Sequence, residues 1–224
     1  GHVAARGWHH AAGEDHAEVA CIKDARAHGV DPADCTLVVT LEPCCHQGRQ
    51  PPCVEAILEA GIRRVVVGSA DPNPLVAGKG IRILREHGIE VTEHMLEEEC
   101  DRLNEVFFHY IQTKRPFVVM KYAMTMDGKI ATYTGASKWI TSETARAHVQ
   151  EQRHKYTAIM VGVGTVLADN PMLNCRMEGG KNPIRIICDT HLRTPLDTQI
   201  VATAKEIPTI LATCCADREK QEAY

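Results

Sequence analysis

Residues 35–68 read CTLVVTLEPCCHQGRQPPCVEAILEAGIRRVVVG: an apolar run, a cysteine-bearing loop, a proline-opened segment and a second apolar run. Cys35–Leu41 is short, nearly continuous and rich in β-branched residues, which predicts a strand buried on both faces. Pro51–Pro52 then opens a helix from about Cys53 to Ala60, closed by Gly61. Arg64–Gly68 repeats the pattern of a buried strand. Strand, helix and strand at this spacing form a βαβ unit, and such units build mostly parallel sheets covered by helices.

The same alternation continues outward. Upstream, Asp15–His16 starts a helix over Ala17–His28, with an apolar stripe at Val19, Ala20, Ile22 and Ala25–Ala27 and Gly29 behind it. Downstream, Lys79–His87 is a helix ended by Gly88, Ile89–Thr92 a third strand, and Leu96–Gln112 an amphipathic helix. The polar break TKRP (113–116) sets a domain boundary, giving domains 1–113 and 114–224. The second domain repeats the α/β pattern. It has strands at Phe117–Tyr122, Ala158–Val163, Ile184–Cys188 and Pro208–Ala212, and a turn at Asp127–Gly128. A helix over Thr141–Lys155 has Thr141 at its cap and Thr144 in a weakened capping box. The fold class is therefore α/β.

Composition narrows the function classes. The 224 residues are 44% hydrophobic and 24% charged with a net charge of −4, ordinary values without the basic footprint of a nucleic-acid binder. Ten aromatic residues are too few and scattered for base-stacking platforms. No apolar run approaches the ~18–20 residues of a membrane span, and no signal-peptide pattern opens the chain. A cytoplasmic protein is expected. Ten cysteines (21, 35, 44, 45, 53, 100, 175, 188, 214, 215) spread through periodic α/β sequence do not resemble a disulfide scaffold, so most read as reduced core or surface thiols.

The exception is the group His16-Ala17-Glu18, Pro43-Cys44 and Cys53. One histidine and two cysteines leave a fourth position of a tetrahedral metal open, as a catalytic zinc requires. An open position lets zinc lower the pKa of bound water towards about 7. His16 and Glu18, two apart, share no helical face. They converge only at a helix start, with the histidine at the cap and the glutamate in the first turn. Cys53 also opens a helix, where the dipole favours a thiolate. With Glu18 carrying the proton from water to a leaving amine, the reading is a zinc-dependent deaminase. A closed structural site completed by Cys45 or His46 is the competing reading, with His10 a further nearby donor. It would make this a non-catalytic zinc-stabilised module.

Nucleobase deaminases mostly space their cysteines P-C-x-x-C, whereas eight residues separate Cys44 from Cys53 here. TLEPCCHQGRQPPC (40–53) and DPNPLVAGKG (71–80) closely resemble the bifunctional riboflavin-biosynthesis deaminase/reductase. KYAMTMDGKIA (121–131), GASKWITS (135–142) and GVGTVLADNP (162–171) resemble its reductase half. The resemblance implies a cytidine-deaminase-like three-layer α/β/α domain followed by a truncated dihydrofolate-reductase-like domain, each missing sequence at its outer end. It implies deamination of 2,5-diamino-6-ribosylamino-4(3H)-pyrimidinone 5′-phosphate, then NADPH-dependent reduction of ribosyl to ribityl. His9, Arg49, Asp71 and Asn73 would contact the deaminase substrate. Ala123, Trp139, Thr165, Asp169 and Thr190 would contact NADPH. Lys121, Ser137, Arg153, Leu173 and Arg176 would contact the reductase substrate. A homo-oligomer acting on a small phosphorylated pyrimidine, without nucleic acid or membrane, is implied as well; the rival is a deaminase of another nucleobase. Cys45 stands where the family usually has serine. The family's N-terminal asparagine turn and C-terminal glycine segment are absent from this sequence. The expected outcome is slow turnover by the isolated 224 residues, checked by ammonia release and NADPH oxidation; full turnover would overturn it.

Overall fold

The computed structural model describes residues 1–224. The chain forms two compact units, Gly1–Met120 and Lys121–Tyr224, dividing a few residues beyond the polar break at Thr113–Pro116.

In the first unit α1 (Ala17–Ala27), β1 (Thr36–Leu41), α2 (Cys53–Glu59), β2 (Arg64–Ser69), α3 (Lys79–Glu86), β3 (Glu90–Thr92) and α4 (Glu97–Thr113) follow in order. The three strands form a parallel sheet in the order β1-β2-β3, with Leu37 opposite Val65 and Val65 opposite Val91. Leu37, Val65 and Val67 pack with Ile57 of α2 and Ile81 and Leu84 of α3 into one core. On the other face α4 lies so close to β2 that a Cβ on Gly68 would sit 2.3 Å from Cys100 Sγ. Helices on both faces of a parallel sheet give the three-layer arrangement.

Two expectations change here. β1 is not buried on both faces: Leu37 is buried but Val38 is 69% exposed, because β1 is a sheet edge and only one face is covered. The 3₁₀ turn Pro32–Asp34, begun by an Asp31 side chain accepting from Ala33 N (3.0 Å), leads into β1 at Thr36.

The second unit contains α5 (Glu143–Lys155), β4 (Ala158–Gly162), α6 (Val163–Asp169), β5 (Ile184–Cys188), α7 (Gln199–Ala202), β6 (Thr209–Ala212) and α8 (Arg218–Glu222). Its sheet is parallel in the order β4-β5-β6. The cap of α5 is Ser142, whose side chain accepts from Ala145 N, and not Thr141. Val163 belongs to α6, so β4 stops at Gly162. The Asp127–Gly128 turn is formed, with Gly128 at φ +79° and its N–H donating to the Thr125 carbonyl. Phe117–Tyr122 forms no strand, although its residues favour one. Strand propensity is realised only where a neighbour shares the ladder hydrogen bonds, and neither three-stranded sheet takes this segment up.

The apolar-looking IRIIC strand hides a charge. Arg185 is fully buried, and burial pulls its guanidinium below the usual arginine range. It has no carboxylate partner and spends its donors on Thr209 Oγ1 (2.7 Å), Thr203 Oγ1 (2.9 Å) and the carbonyls of Met172 (3.1 Å), Ile200 (2.9 Å) and Ile207 (3.1 Å). One side chain thus joins β5, β6, α7 and the Met172 turn. Removing it strands several buried acceptors at once. Arg185→Leu is expected to destabilise the second unit by about 2–5 kcal/mol, read from its urea midpoint, and an unchanged midpoint would contradict this account.

Candidate active site

The predicted metal group assembles where three elements meet. His16 occupies the cap of α1 (φ −70°, ψ 162°), and its carbonyl accepts the first helical bond from Ala20 N. Its side chain does not cap the helix, because it points instead to the two sulfurs. Nδ1 lies 3.2 Å from Cys53 Sγ and 3.4 Å from Cys44 Sγ. Cys53 is fully buried and opens α2, while Cys44 sits just past the end of β1. The N-terminus of α2 completes the corner: Cys53 N donates to Cys44 Sγ (3.3 Å) and Val54 N to the Cys44 carbonyl (3.2 Å).

The donor set fits zinc. Tetrahedral zinc, with Zn–S about 2.3 Å and Zn–N about 2.0 Å, requires ligand atoms roughly 3.5–3.8 Å apart. The three atoms lie within 4.8 Å of one another, so little movement is needed to hold a cation. A hydrogen bond from the Cys53 thiol draws the Cys44 thiol down to about 5 and pushes Cys53 up. Cys44 is thus poised as a thiolate, while Cys53 keeps its proton until a divalent ion displaces it. Cys45 turns away, its thiol towards the Leu75 carbonyl (3.8 Å), and neither it nor His46 joins the group.

Glu18 lies in the first turn of α1, 8% exposed. Burial pushes its carboxyl above the usual carboxylate range, against a bond from the Cys53 thiol. The two-residue offset from His16 places both groups at one corner, as a helix start allows and a helix interior does not.

Of the other residues expected in this site, His9 and Asp71 interact with the metal group. The His9 ring meets His16 edge-on at 5.4 Å, and its Nδ1 is 3.0 Å from the Asp15 carbonyl. Asp71 and Asn73 follow the end of β2, where open parallel sheets place ligands. Asp71 is 7% exposed; burial pushes its carboxyl up, Cys44 and Glu42 add to the rise, and His46 opposes it. His46 Nδ1 is buried without a hydrogen-bond partner. Arg49 stands exposed in the loop between the cysteines. Sequence reading passed over Glu42, whose buried side chain organises this loop system. The available signal was the helix start Ala77-Gly78-Lys79-Gly80, which has no side chain of its own able to cap it. An open depression of about 640 Å³ lined by His10, Asp15, Lys23 and Gln50 includes none of the metal ligands.

In the second unit Thr165 sits in the first turn of α6 and Thr190 just past β5, at the ends of adjacent parallel strands. The Thr190 carbonyl accepts from Cys214 N (3.2 Å) and Thr213 Oγ1 (3.2 Å). Asp169 ends α6, and Leu173 is buried at φ +53°. Arg153 donates to the Asn174 carbonyl (2.7 Å), keeps a buried Nε without a partner, and is pulled down by burial and by Arg176. Arg176 thus lies near enough to Arg153 for the two like charges to repel. Lys121, Ala123, Ser137 and Trp139 lie on the irregular stretch 121–140, with Trp139 71% exposed under the Arg146 guanidinium at 4.3 Å. A small cavity of about 260 Å³ on that stretch is lined by Thr125, Asp127, Lys129 and Thr132, and by none of those four residues.

Comparison with known proteins agrees with both halves. Residues 1–69 match the cytidine and deoxycytidylate deaminase zinc-binding region, and residues 116–224 match the RibD C-terminal domain. The chain is 58% identical, along its full length, to riboflavin biosynthesis protein RibD of Actinobacillus pleuropneumoniae. It is 48% identical over 95% of its length to that of Aquifex aeolicus. It spans 59% of the length of each of these relatives. Among solved structures, the diaminohydroxyphosphoribosylaminopyrimidine deaminase/5-amino-6-(5-phosphoribosylamino)uracil reductase of Thermotoga maritima is 46% identical with a TM-score of 0.88. The alignment covers 96% of this chain and 60% of that one. RibD of Acinetobacter baumannii is 37% identical with a TM-score of 0.81, covering 98% and 62%.

Zinc bound here is expected to show two sulfurs, one nitrogen and one oxygen by X-ray absorption at the metal edge. Cys45→Ser and His46→Ala should keep one zinc per chain, whereas Cys44→Ser should lose it. A fourth protein ligand in the spectrum would restore the structural-zinc reading.

Proposed function

We propose, from the premise that this chain belongs to the riboflavin biosynthesis protein RibD family, that its first unit deaminates 2,5-diamino-6-ribosylamino-4(3H)-pyrimidinone 5′-phosphate. The observation that carries the proposal is the buried carboxyl of Glu18 beside a His/Cys/Cys set of three protein donors. Zinc held there supplies Lewis acidity and an activated water. The carboxylate of Glu18 would take a proton from the attacking water as the water oxygen bonds to the ring carbon carrying the exocyclic amine. Glu18 then returns the proton to the amine, the carbon–nitrogen bond breaks, and ammonia leaves. Burial serves this role, because a raised carboxyl pKa makes Glu18 a stronger base towards the proton of water.

Asp71 and Asn73, with His9, present polar atoms suited to the edge of the pyrimidine, and Arg49 offers the substrate phosphate a two-pronged partner. The eight-residue interval between the cysteines, with the exposed Arg49 inside it, favours a phosphorylated substrate over a free base.

The second unit belongs to the same reading as the NADPH-dependent reductase. NADPH supplies the hydride that turns ribosyl into ribityl. Thr165, Asp169 and Thr190 would hold the cofactor together with Ala123 and Trp139. Gly162 and Gly164 leave open backbone at that edge, since a Cβ on either would meet nothing within 4 Å. Arg153 and Arg176 would hold the substrate phosphate, with Lys121, Ser137 and Leu173 around the sugar. No helix is long and apolar enough to cross a membrane. A homo-oligomer in the cytoplasm rests on the family resemblance, and the net charge of −4 speaks against nucleic acid as a partner.

Two measurements test this. Glu18→Gln should keep its zinc and lose ammonia release from the phosphorylated diaminopyrimidine by at least about a hundredfold. Release from cytosine or guanine instead would move the assignment to another deaminase. Arg153→Met and Arg176→Met should each abolish most of the preference for the phosphorylated reductase substrate over its dephosphorylated form. An unchanged preference would remove the pair from the site.

A further inference from the structure

Glu42 stands between the end of β1 and the metal ligand Cys44, and it is 2% exposed. All the donors around its carboxylate are main-chain amides. Oε2 accepts from Asp71 N (3.3 Å) and Gly78 N (2.9 Å), and Oε1 from Gly80 N (3.0 Å) and Ile81 N (3.3 Å). Its own N–H donates to the Ser69 carbonyl (2.9 Å), tying it to the end of β2. α3 has no cap of its own: Gly78 sits at the cap position with φ +79°, and the first turn carries no acid. Glu42 therefore caps a helix from another strand, with its charge at the positive end of that helix. The approach is close, since a Cβ on Gly80 would lie 2.2 Å from the Pro43 carbonyl oxygen.

The loop so gripped is the one that carries Asp71 and Asn73. From the Asp71 amide the order passes on: Asp71 Oδ1 accepts from Asn73 N (2.8 Å), and Asn73 Oδ1 accepts from Leu75 N (3.1 Å). A buried apolar side chain would fill the same space but leave four amides without acceptors.

We propose that Glu42 is a positioning residue of the deaminase site, whose carboxylate fixes the 71–78 loop at a set distance from the Cys44 ligand. It touches no reacting atom and acts through Asp71 and Asn73. This rests on the reading that those two residues contact the pyrimidine. It assigns to the acid of the Leu41-Glu42-Pro43-Cys44 run a role separate from holding metal.

The test uses the zinc-loaded chain in the Glu18→Gln background, where bound substrate is not consumed, and calorimetry with the phosphorylated diaminopyrimidine. Glu42→Gln replaces one acceptor oxygen by a donor. It should weaken binding about tenfold with one zinc per chain retained. Amide exchange at Gly78, Gly80 and Ile81 should rise by a similar factor. Asp71→Ala should also weaken binding, and adding Glu42→Gln to it should weaken binding no further, because the two act in series. If Glu42→Gln loses its folded circular dichroism, Glu42→Asp, which keeps the acceptors on a shorter arm, should give an intermediate loss. Unchanged binding and exchange, or full additivity with Asp71→Ala, would overturn the proposal. If the Glu18→Gln protein binds no diaminopyrimidine, the deaminase reading fails, and exchange at the three amides still decides whether Glu42 holds the loop.

Discussion

The first unit is organised by a single geometric constraint: two helices begin beside the end of one parallel strand. Within a helix, the start is where His16 and Glu18, two residues apart, can both reach one point. It is also where free amides favour a sulfur anion, as Cys53 N does for Cys44. β1 delivers Cys44 to that corner, α1 delivers the histidine and the acid, and α2 delivers Cys53. The sheet core of Leu37, Val65, Val67, Ile57 and Leu84 holds the three in register. The chemistry is thus built from the ends of elements whose middles are ordinary packing.

Both units bury charged side chains. In the first, the acids Glu18, Glu42 and Asp71 are buried around the metal corner. Glu42 is satisfied entirely by main-chain amides, while the carboxyls of Glu18 and Asp71 are raised by burial. In the second, Arg185 is buried among carbonyls and hydroxyls, and Asp189 accepts from Arg193 N (2.7 Å), Thr194 N (2.7 Å) and Thr194 Oγ1 (2.8 Å). Those bonds hold the Asp189 carboxyl below its usual range despite burial. The contribution of Asp189 is present above the ordinary aspartate range and is lost as pH falls through its lowered value.

Much of this was legible in the sequence, for a physical reason in each case. Hydrophobic runs bounded by glycine and proline marked β1, α2 and β2, since period and punctuation are local properties. His16, Glu18, Cys44 and Cys53 were legible because metal chemistry limits which residue types can serve. What stayed hidden depends on distant neighbours. The open face of β1 at Val38 follows from its place at a sheet edge. The capping by Glu42 joins residues 36–39 positions apart. Arg185 sits in a strand that reads as apolar, and only the folded neighbourhood of Thr203, Thr209 and Met172 makes its burial tolerable.

The stretch Phe117–Tyr122 carries a consequence for handling the protein. It holds β-prone side chains outside both sheets, and Val118 (81%) and Met120 (79%) are largely exposed. Exposed β-prone apolar side chains outside a sheet favour pairing between molecules. Lys114 and Arg115 precede it and Lys121 lies within it, so like-charge repulsion keeps two such segments apart at low ionic strength. Salt screens that repulsion, and the colloidal stability of the chain in solution should therefore fall as ionic strength rises.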